Sequence, residues 1–532
     1  VRKWLPIFIL GLTQFVMVID GTVMNVSITT VVADLGTTVS AMQLAIATFT
    51  LTMAGFMMAG AGIGDRLGRR RTLVIGLIVY GIGSFTTAVA PGFTVLFIGW
   101  SIIEGLGAVL VIPAVAALAA SNYQGRDRAV AYGILGGLSG AAVAIGPLVG
   151  GWVTTEFSWR WVFAAETIII AVVILPFIKA IRDGVRKPVT SRFDIVGVVL
   201  SATAMILVVL ALVSASTWGI IRPIDPPFEV LGFSPVIPIV LVGLLVMRWF
   251  FAWEKRVSAR GGTPLVGTDL LHIRSLRSGL GSQVVLYFII AGTFFILPLY
   301  LQTVLGLDAF ESGLRMLPMS IAIFVMALAG SRLSVKVSPR TLIQVGLALA
   351  SAGVVLLIGS VTAEARGTLF AIAMAVIGVG LGLAVSQIGN VNMSAADESR
   401  GNEIGGLQGT GQNLGSSLGV AIAGSVLFIG LAATFNYNLS NQPAADANLQ
   451  QAAKEVTASG IQVVSSAQVE EAVTDAGLPP DQVDAVVTAY DDSKLQSLRG
   501  ALAIVFIVGV LGLLVTGGLP KEPLGARGPP EA

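Results

Sequence analysis

Apolar residues in this chain come in long, nearly unbroken runs rather than in the alternating or 3.6-residue patterns of soluble elements. Fourteen such runs lie at roughly 5–31, 41–63, 73–90, 94–120, 129–152, 161–180, 195–215, 234–252, 279–304, 311–332, 341–361, 367–388, 405–434 and 499–517. About 20 apolar residues cross a hydrocarbon core about 30 Å thick, and a helix satisfies its own backbone there. The pattern therefore predicts an all-α polytopic membrane protein with fourteen transmembrane helices. The first run follows Arg2 and Lys3. It is too long for a signal-peptide core and no small-residue cleavage site follows it, so it is expected to stay as the first span.

Polar segments between the runs supply an independent test. With the N-terminus inside, 25 of the 32 Lys and Arg fall in inner segments, among them the cluster Arg66, Arg69, Arg70 and Arg71. Such a bias sets orientation, so both termini are expected to be cytoplasmic. Basic inner loops at 181–193 and 253–278 flank the seventh and eighth spans. The stretch at about 436–497 is long, polar and acidic, and is expected outside. Its Ala-rich pieces, 444–458 and 481–490, predict short amphipathic helices broken at Gly460 and at Pro479-Pro480.

Composition agrees. Of 532 residues, 55% are apolar and 12% charged, about half the charge of ordinary soluble domains. With no cysteine there are no disulfides and no thiolate sites, and a lone His272 argues against imidazole catalysis or a histidine-rich metal centre. No nucleophile–base set or phosphate loop stands in the sequence. No cofactor, metal or nucleic-acid partner is expected; the partner that composition implies is the lipid bilayer.

Several motifs carry more specific chemistry. After the second run comes Gly62-Ile-Gly-Asp65-Arg66-Leu-Gly68-Arg69-Arg70-Arg71. Glycines let the chain turn sharply, and the arginines hold the loop on the cytoplasmic side. This resembles the loop signature of the major facilitator superfamily, with Ala61 where that family usually has glycine. The resemblance implies a loop that latches the two halves of the molecule in the outward-open state. The fifth run holds Gly133 and Gly146-Pro147-Leu-Val-Gly150-Gly151, similar to the signature of the superfamily's antiporters, with Ala142 at one usual glycine. Glycine permits close helix approach and proline kinks a membrane helix. Ser158-Trp159-Arg160-Trp161 resembles the outer start of the sixth helix in drug exporters.

The first run contains Ile19-Asp20-Gly-Thr22-Val-Met-Asn25-Val, which resembles the first-helix signature of the fourteen-helix drug:proton antiporter family. An ionised carboxylate costs several kcal/mol in hydrocarbon, so Asp20 is expected to exchange protons rather than hold a permanent charge. The alternative is a neutral acid that braces helices. Where the family pattern has arginine in the fourth helix this chain has Trp100, and Glu104 replaces the usual glutamine. The arginine's part in proton transfer does not carry over to tryptophan. Glu166 in the sixth run adds a third intramembrane acid. Three acids without an arginine point to an electronegative cavity, although Glu104 and Glu166 read equally well as hydrogen-bonded packing groups. Gln387, Asn390, Asn392, Gln408, Gln412 and Asn413 form a polar set that either lines a pathway or joins helices. Gly330-Ser-Arg332 to Arg340 resembles a decayed second copy of the loop signature, with Val335 at the acidic position.

The resemblance implies a six-helix bundle at 1–180, an inserted pair at 181–278, a second bundle at 279–518 that includes the 436–497 loop, and a cytoplasmic tail at 519–532. It further implies a monomeric, proton-coupled antiporter in the inner membrane of a prokaryote. Such a protein exports small hydrophobic, cationic or neutral compounds by alternating access. An exporter of an endogenous lipid or metabolite is the alternative, and a membrane enzyme or sensor without transport a distant one.

Overall fold

The computed structural model describes residues 3–123, 125–183, 193–221, 223, 226–262, 264–362, 367–396, 400–458 and 461–523. Among them the regular structure is helical, apart from one isolated bridge between Val230 and Phe233. Thirteen helices among the described residues are long and apolar enough to cross a membrane. The remaining expected run, 129–152, lies within a 32-residue helix, α7 (Gly125–Glu156), several of whose side chains fall outside the described set.

The chain opens with α1 (Leu5–Val26), α2 (Ile28–Leu35), α3 (Val39–Leu67) and α4 (Arg69–Ala88). The expected first span, 5–31, thus breaks at Ser27, whose hydroxyl turns to Thr154 at 2.7 Å. Next, α5 (Phe93–Leu96) runs through a π-helical stretch, Phe97–Glu104, into α6 (Gly105–Asn122). After α7, α8 (Arg160–Ile168) passes through a second π-helical stretch, Ile169–Ile174, into α9 (Leu175–Phe177). Helices α10 (Ile195–Trp218) and α11 (Val236–Ala259) pack on each other. Then come α12 (Arg274–Leu299), α13 (Ala309–Leu333), α14 (Pro339–Ser360), α15 (Gly367–Met393) and α16 (Gly401–Ser440).

Surface chemistry is inverted relative to a soluble bundle. On α4, Ile75, Ile78, Ile82 and Phe85 stand exposed at three- and four-residue spacing, one face of a helix. On α11, Leu241, Leu244, Leu245 and Trp249 do the same. Stripes of this size need lipid to cover them. Polar contacts turn inward: the Gln43 amide on α3 donates to the carbonyls of Val420 and Ala421 on α16 at 3.1 and 3.0 Å. Ser417 of α16 returns a bond to Ala47 at 2.8 Å, and Ser425 of α16 reaches Leu212 of α10 at 2.6 Å. Helix α7 packs on both α1 and α13. In the π-helical stretch Tyr300–Val304 that ends α12, Gln302 donates to Val26 at 2.7 Å and accepts from Thr29. The segment Val26–Ser27, Thr155 and Phe310 thus gathers at one end of the molecule, where the first and middle thirds of the chain close on each other.

The polar stretch after α16 is a folded cap. It contains α17 (Ala447–Ala458), α18 (Ser466–Asp475) and the opening turns of α19 (Pro480–Val515). The expected separate helix at 481–490 is instead the start of this 36-residue helix, which continues as the last span. The physical reason is that proline, which breaks a helix interior, fits its first turn, and Pro480 sits at that position. Helix α18, unforeseen from hydropathy, starts with a reciprocal Ser465–Gln468 capping box. Lys494, 1% exposed, fastens the cap: its ammonium donates to Thr303 O at 3.0 Å, to Val464 O and Ser466 Oγ at 3.3 Å, and pairs with Asp491 at 3.2 Å.

Candidate functional site

Two glycines bring α4 into backbone contact with the π-helical stretch and α6. A methyl group on Gly83 would sit 2.5 Å from the Glu104 nitrogen and 2.7 Å from its Cα. One on Gly107 would sit 2.5 Å from the Tyr80 nitrogen and 2.6 Å from its Cα. Neither position tolerates a side chain without moving backbone. The close approach sets Tyr80 of α4 beside Glu104, whose segment is wound wider than an α-helix, a local irregularity common at functional positions. Ser84, one turn beyond Tyr80 on the same face, meets α8: its hydroxyl donates to Glu166 Oε2 at 3.0 Å, with the Phe163 carbonyl 3.1 Å away.

Asp20 of α1 completes the site. The Trp100 indole N–H donates to both of its carboxyl oxygens, at 3.0 and 3.1 Å. That indole is itself fixed by stacking on Phe49 of α3, with centroids 4.7 Å apart and planes 8° from parallel. One carboxyl oxygen from each of Asp20, Glu104 and Glu166 lies within 4.8 Å of the others. Three acids from three distant parts of the sequence therefore share one spot. All are buried, at 0%, 0% and 2% exposure. Among the described residues none of the three belongs to an ion pair. Both Glu104 oxygens, Glu166 Oε1 and the Tyr80 hydroxyl are buried without a hydrogen-bond partner. The Tyr80 hydroxyl lies near Asp20 and Glu104 without reaching hydrogen-bond geometry with either. Buried polar groups are ordinarily satisfied, so four such atoms at one spot set it apart from ordinary helix packing.

The other predicted residues are dispersed. Asn25, on the same helix as Asp20, donates to Gly21 O at 2.6 Å within α1, and its carbonyl oxygen is left over. In the loop signature, Gly62 faces the Phe193 ring and the Arg66 guanidinium lies 5.3 Å from its centroid. Gly68 makes the turn with φ 94°. Arg69 donates to Ala117 O at 3.2 Å and Arg70 to Ile181 O at 3.3 Å, so these arginines fasten the loop to the ends of the helices beside it. The side chains of Asp65 and Gly133 lie outside the described residues. Gly146 and Gly150 pack on Thr22 and Val23 of α1, while Gly151 meets the Ala309 carbonyl of α13 and Pro147 lies against Gly313.

The polar set of the last third mostly joins helices. Gln387 donates to Gly330 O at 2.9 Å. Asn392 donates to Gln283 at 2.9 Å, and Gln283 to Gln408 O at 3.1 Å. Gln408 reaches Gly389 O at 3.0 Å and Asn413 reaches Gly409 O within its own helix at 2.9 Å. Asn390 is exposed, with Ser394 on it, and Gln412 is half-buried. Tyr80, Ser84 and Phe49 were not distinguishable in the sequence: each stands in an apolar run as one more membrane-helix residue. The only available signal was helical phase, which puts Tyr80 and Ser84 on one face opposite Ile78, Ile82 and Phe85.

A sequence profile described as Major Facilitator Superfamily matches residues 10–420. The chain is 28% identical over 435 residues to a probable actinorhodin transporter of Streptomyces coelicolor, covering 80% of this chain and 73% of that protein. It is 28% identical over 431 residues to the puromycin resistance protein pur8 of Streptomyces alboniger, covering 80% and 82%. Among solved structures, an inward-facing, unoccupied bacterial homologue of the human lysosomal transporter Spinster superposes with a TM-score of 0.63. That match covers 100% of this chain and 99% of the other at 16% identity, a likeness of fold.

Proposed function

The chain belongs to the major facilitator superfamily and is a transport protein rather than an enzyme, and from that premise we propose that it exports small hydrophobic compounds in exchange for protons. The relatives whose names concern actinorhodin and puromycin support a bulky antibiotic-like cargo. The observation that carries the proton half is the buried meeting of Asp20, Glu104 and Glu166 with no basic partner among the described ion pairs. Three carboxylates so close cannot all be ionised in a dry interior, and uptake or loss of protons is the simplest way to change their charge. Export works by alternating access, the two bundles rocking about a central pathway with α10 and α11 beside them. Charge bias supports an orientation with both termini inside, in the cytoplasmic membrane; the chain acts as a monomer.

The energetics suffice. One proton per cycle supplies about 1.4 kcal/mol per pH unit, and each net charge moved about 2.3 kcal/mol per 100 mV. A monocation exchanged for one proton feels the pH gradient alone. The test is efflux of tetraphenylphosphonium from vesicles under an imposed pH gradient. Asp20→Asn is expected to lower the pH-driven rate at least tenfold; undiminished pumping by that variant removes Asp20 from the mechanism.

A second reading concerns the cargo's origin. The cap held by Lys494 is a built element, docked on the segment at Thr303. A product of the cell's own metabolism, passed out beneath such a cap, is an alternative cargo. Deleting residues 440–495 and finding export of the same compounds unchanged would reduce the cap to a cover.

A further inference from the structure

The site holds more oxygen than proton exchange requires. Glu104 presents two unpartnered oxygens, Glu166 one, and the Tyr80 hydroxyl, wholly buried, stands beside Asp20 and Glu104 with no partner of its own. We infer that Asp20, Glu104 and Glu166, with the Tyr80 hydroxyl as a fourth oxygen, form a binding site for a hard cation of calcium or sodium size. This deepens the exchange reading and rests on it only for the cation's part in transport.

Geometry admits such an ion. Three oxygens no more than 4.8 Å apart have a point no more than about 2.8 Å from each (4.8/√3), within which the 2.3–2.6 Å that calcium asks of its oxygen ligands can be met. Sodium binds oxygen at similar lengths and is a common passenger at such depth in transporters. Magnesium fits worse, since it wants an octahedron at about 2.1 Å and keeps its waters. All donors are oxygen, which disfavours the softer transition metals. Charge agrees as well: with no cationic side chain in an ion pair with the three carboxyls among the described residues, a bound cation would offset the charge of those that ionise. The Ser84 hydrogen bond aims Glu166 and leaves its Oε1 free, while the Trp100 N–H is shared between both Asp20 oxygens, each of which keeps a further lone pair for a ligand, as outer-shell groups do around metal ligands. Because cation and protons neutralise the same oxygens, they compete.

Equilibrium dialysis of the purified full-length protein against radioactive sodium and, separately, radioactive calcium tests this. At least one of the two is expected to bind once per chain, at least tenfold more tightly at pH 8 than at pH 6, with magnesium competing at least tenfold less well. Glu104→Gln is expected to weaken binding at least tenfold and Tyr80→Phe about threefold. Tyr80→Phe removes one hydroxyl and keeps the ring, and so carries the test if Glu104→Gln fails to fold. Binding of neither ion, affinity unchanged in both variants, or magnesium competing as well as calcium overturns the inference. Absent binding together with intact pH-driven efflux overturns the cation site and leaves proton exchange standing. Binding with no pH-driven efflux overturns the exchange and leaves the site.

Discussion

At the scale of single residues, Trp100 stands where the family pattern has an arginine, and its indole N–H gives Asp20 a hydrogen bond without giving it a charge. A neutral donor aims the carboxyl yet leaves the cluster free to gain or lose positive charge, which a fixed guanidinium would not. Away from the membrane core the opposite design appears at Asp34. Burial pushes its carboxyl up, but hydrogen bonds from Arg160 and Trp159 and the Arg160 charge outweigh that and hold it below the usual carboxylate range. A depressed folded value means stability that is present above the unfolded value of about 4 and lost as pH falls through the folded one. Asp34→Asn is therefore expected to lower the melting temperature at pH 6–7, with the gap to wild type closing below about pH 4. The pair is half-exposed, so the effect is small. A gap of equal size at pH 3 contradicts the ion-pair account.

At the scale of elements, the site depends on how closely α4 and α6 approach. Gly107→Leu places a side chain where the Tyr80 backbone already lies. Overpacking of this kind costs about 1–3 kcal/mol or more. A fall of several degrees in melting temperature with loss of pH-driven efflux is expected, while an unaltered melting curve would show the helices free to part. Spans were the most legible feature, because lipid imposes length and apolarity on each one separately. An acid such as Asp20 was legible too, since hydrocarbon makes any carboxyl conspicuous. Meeting partners were not. Tyr80 and Ser84 are polar enough for any membrane helix, and only the packing of α4 on the Glu104 segment and α8 gives them a role. The break at Ser27 and the merging of 481–490 into α19 escaped hydropathy because each depends on local hydrogen bonding and proline position.

On the scale of the whole molecule, the segments at Thr155 and Phe310 close one end, where the Phe310 N–H donates to Thr155 Oγ1 at 3.3 Å. Alternating access requires that end to open. The chain has no cysteine, so a pair introduced by Thr155→Cys and Phe310→Cys reports cleanly. Oxidation is expected to stop efflux and a reductant to restore it; full efflux by the oxidised, cross-linked protein would mean that this end need not move. Two arginines of the loop signature, Arg69 and Arg70, fasten to neighbouring helix ends at Ala117 and Ile181. Sequence position could not reveal this, because an arginine's partner depends on which helix ends surround it. The most direct measurement is proton release when tetraphenylphosphonium is added to purified protein in weakly buffered detergent solution, followed with a pH dye. Wild type is expected to release about one proton per bound cation near neutral pH, and Asp20→Asn with Glu104→Gln none. Binding without release by wild type, or equal release by the double variant, contradicts the exchange of protons for cargo at this cluster.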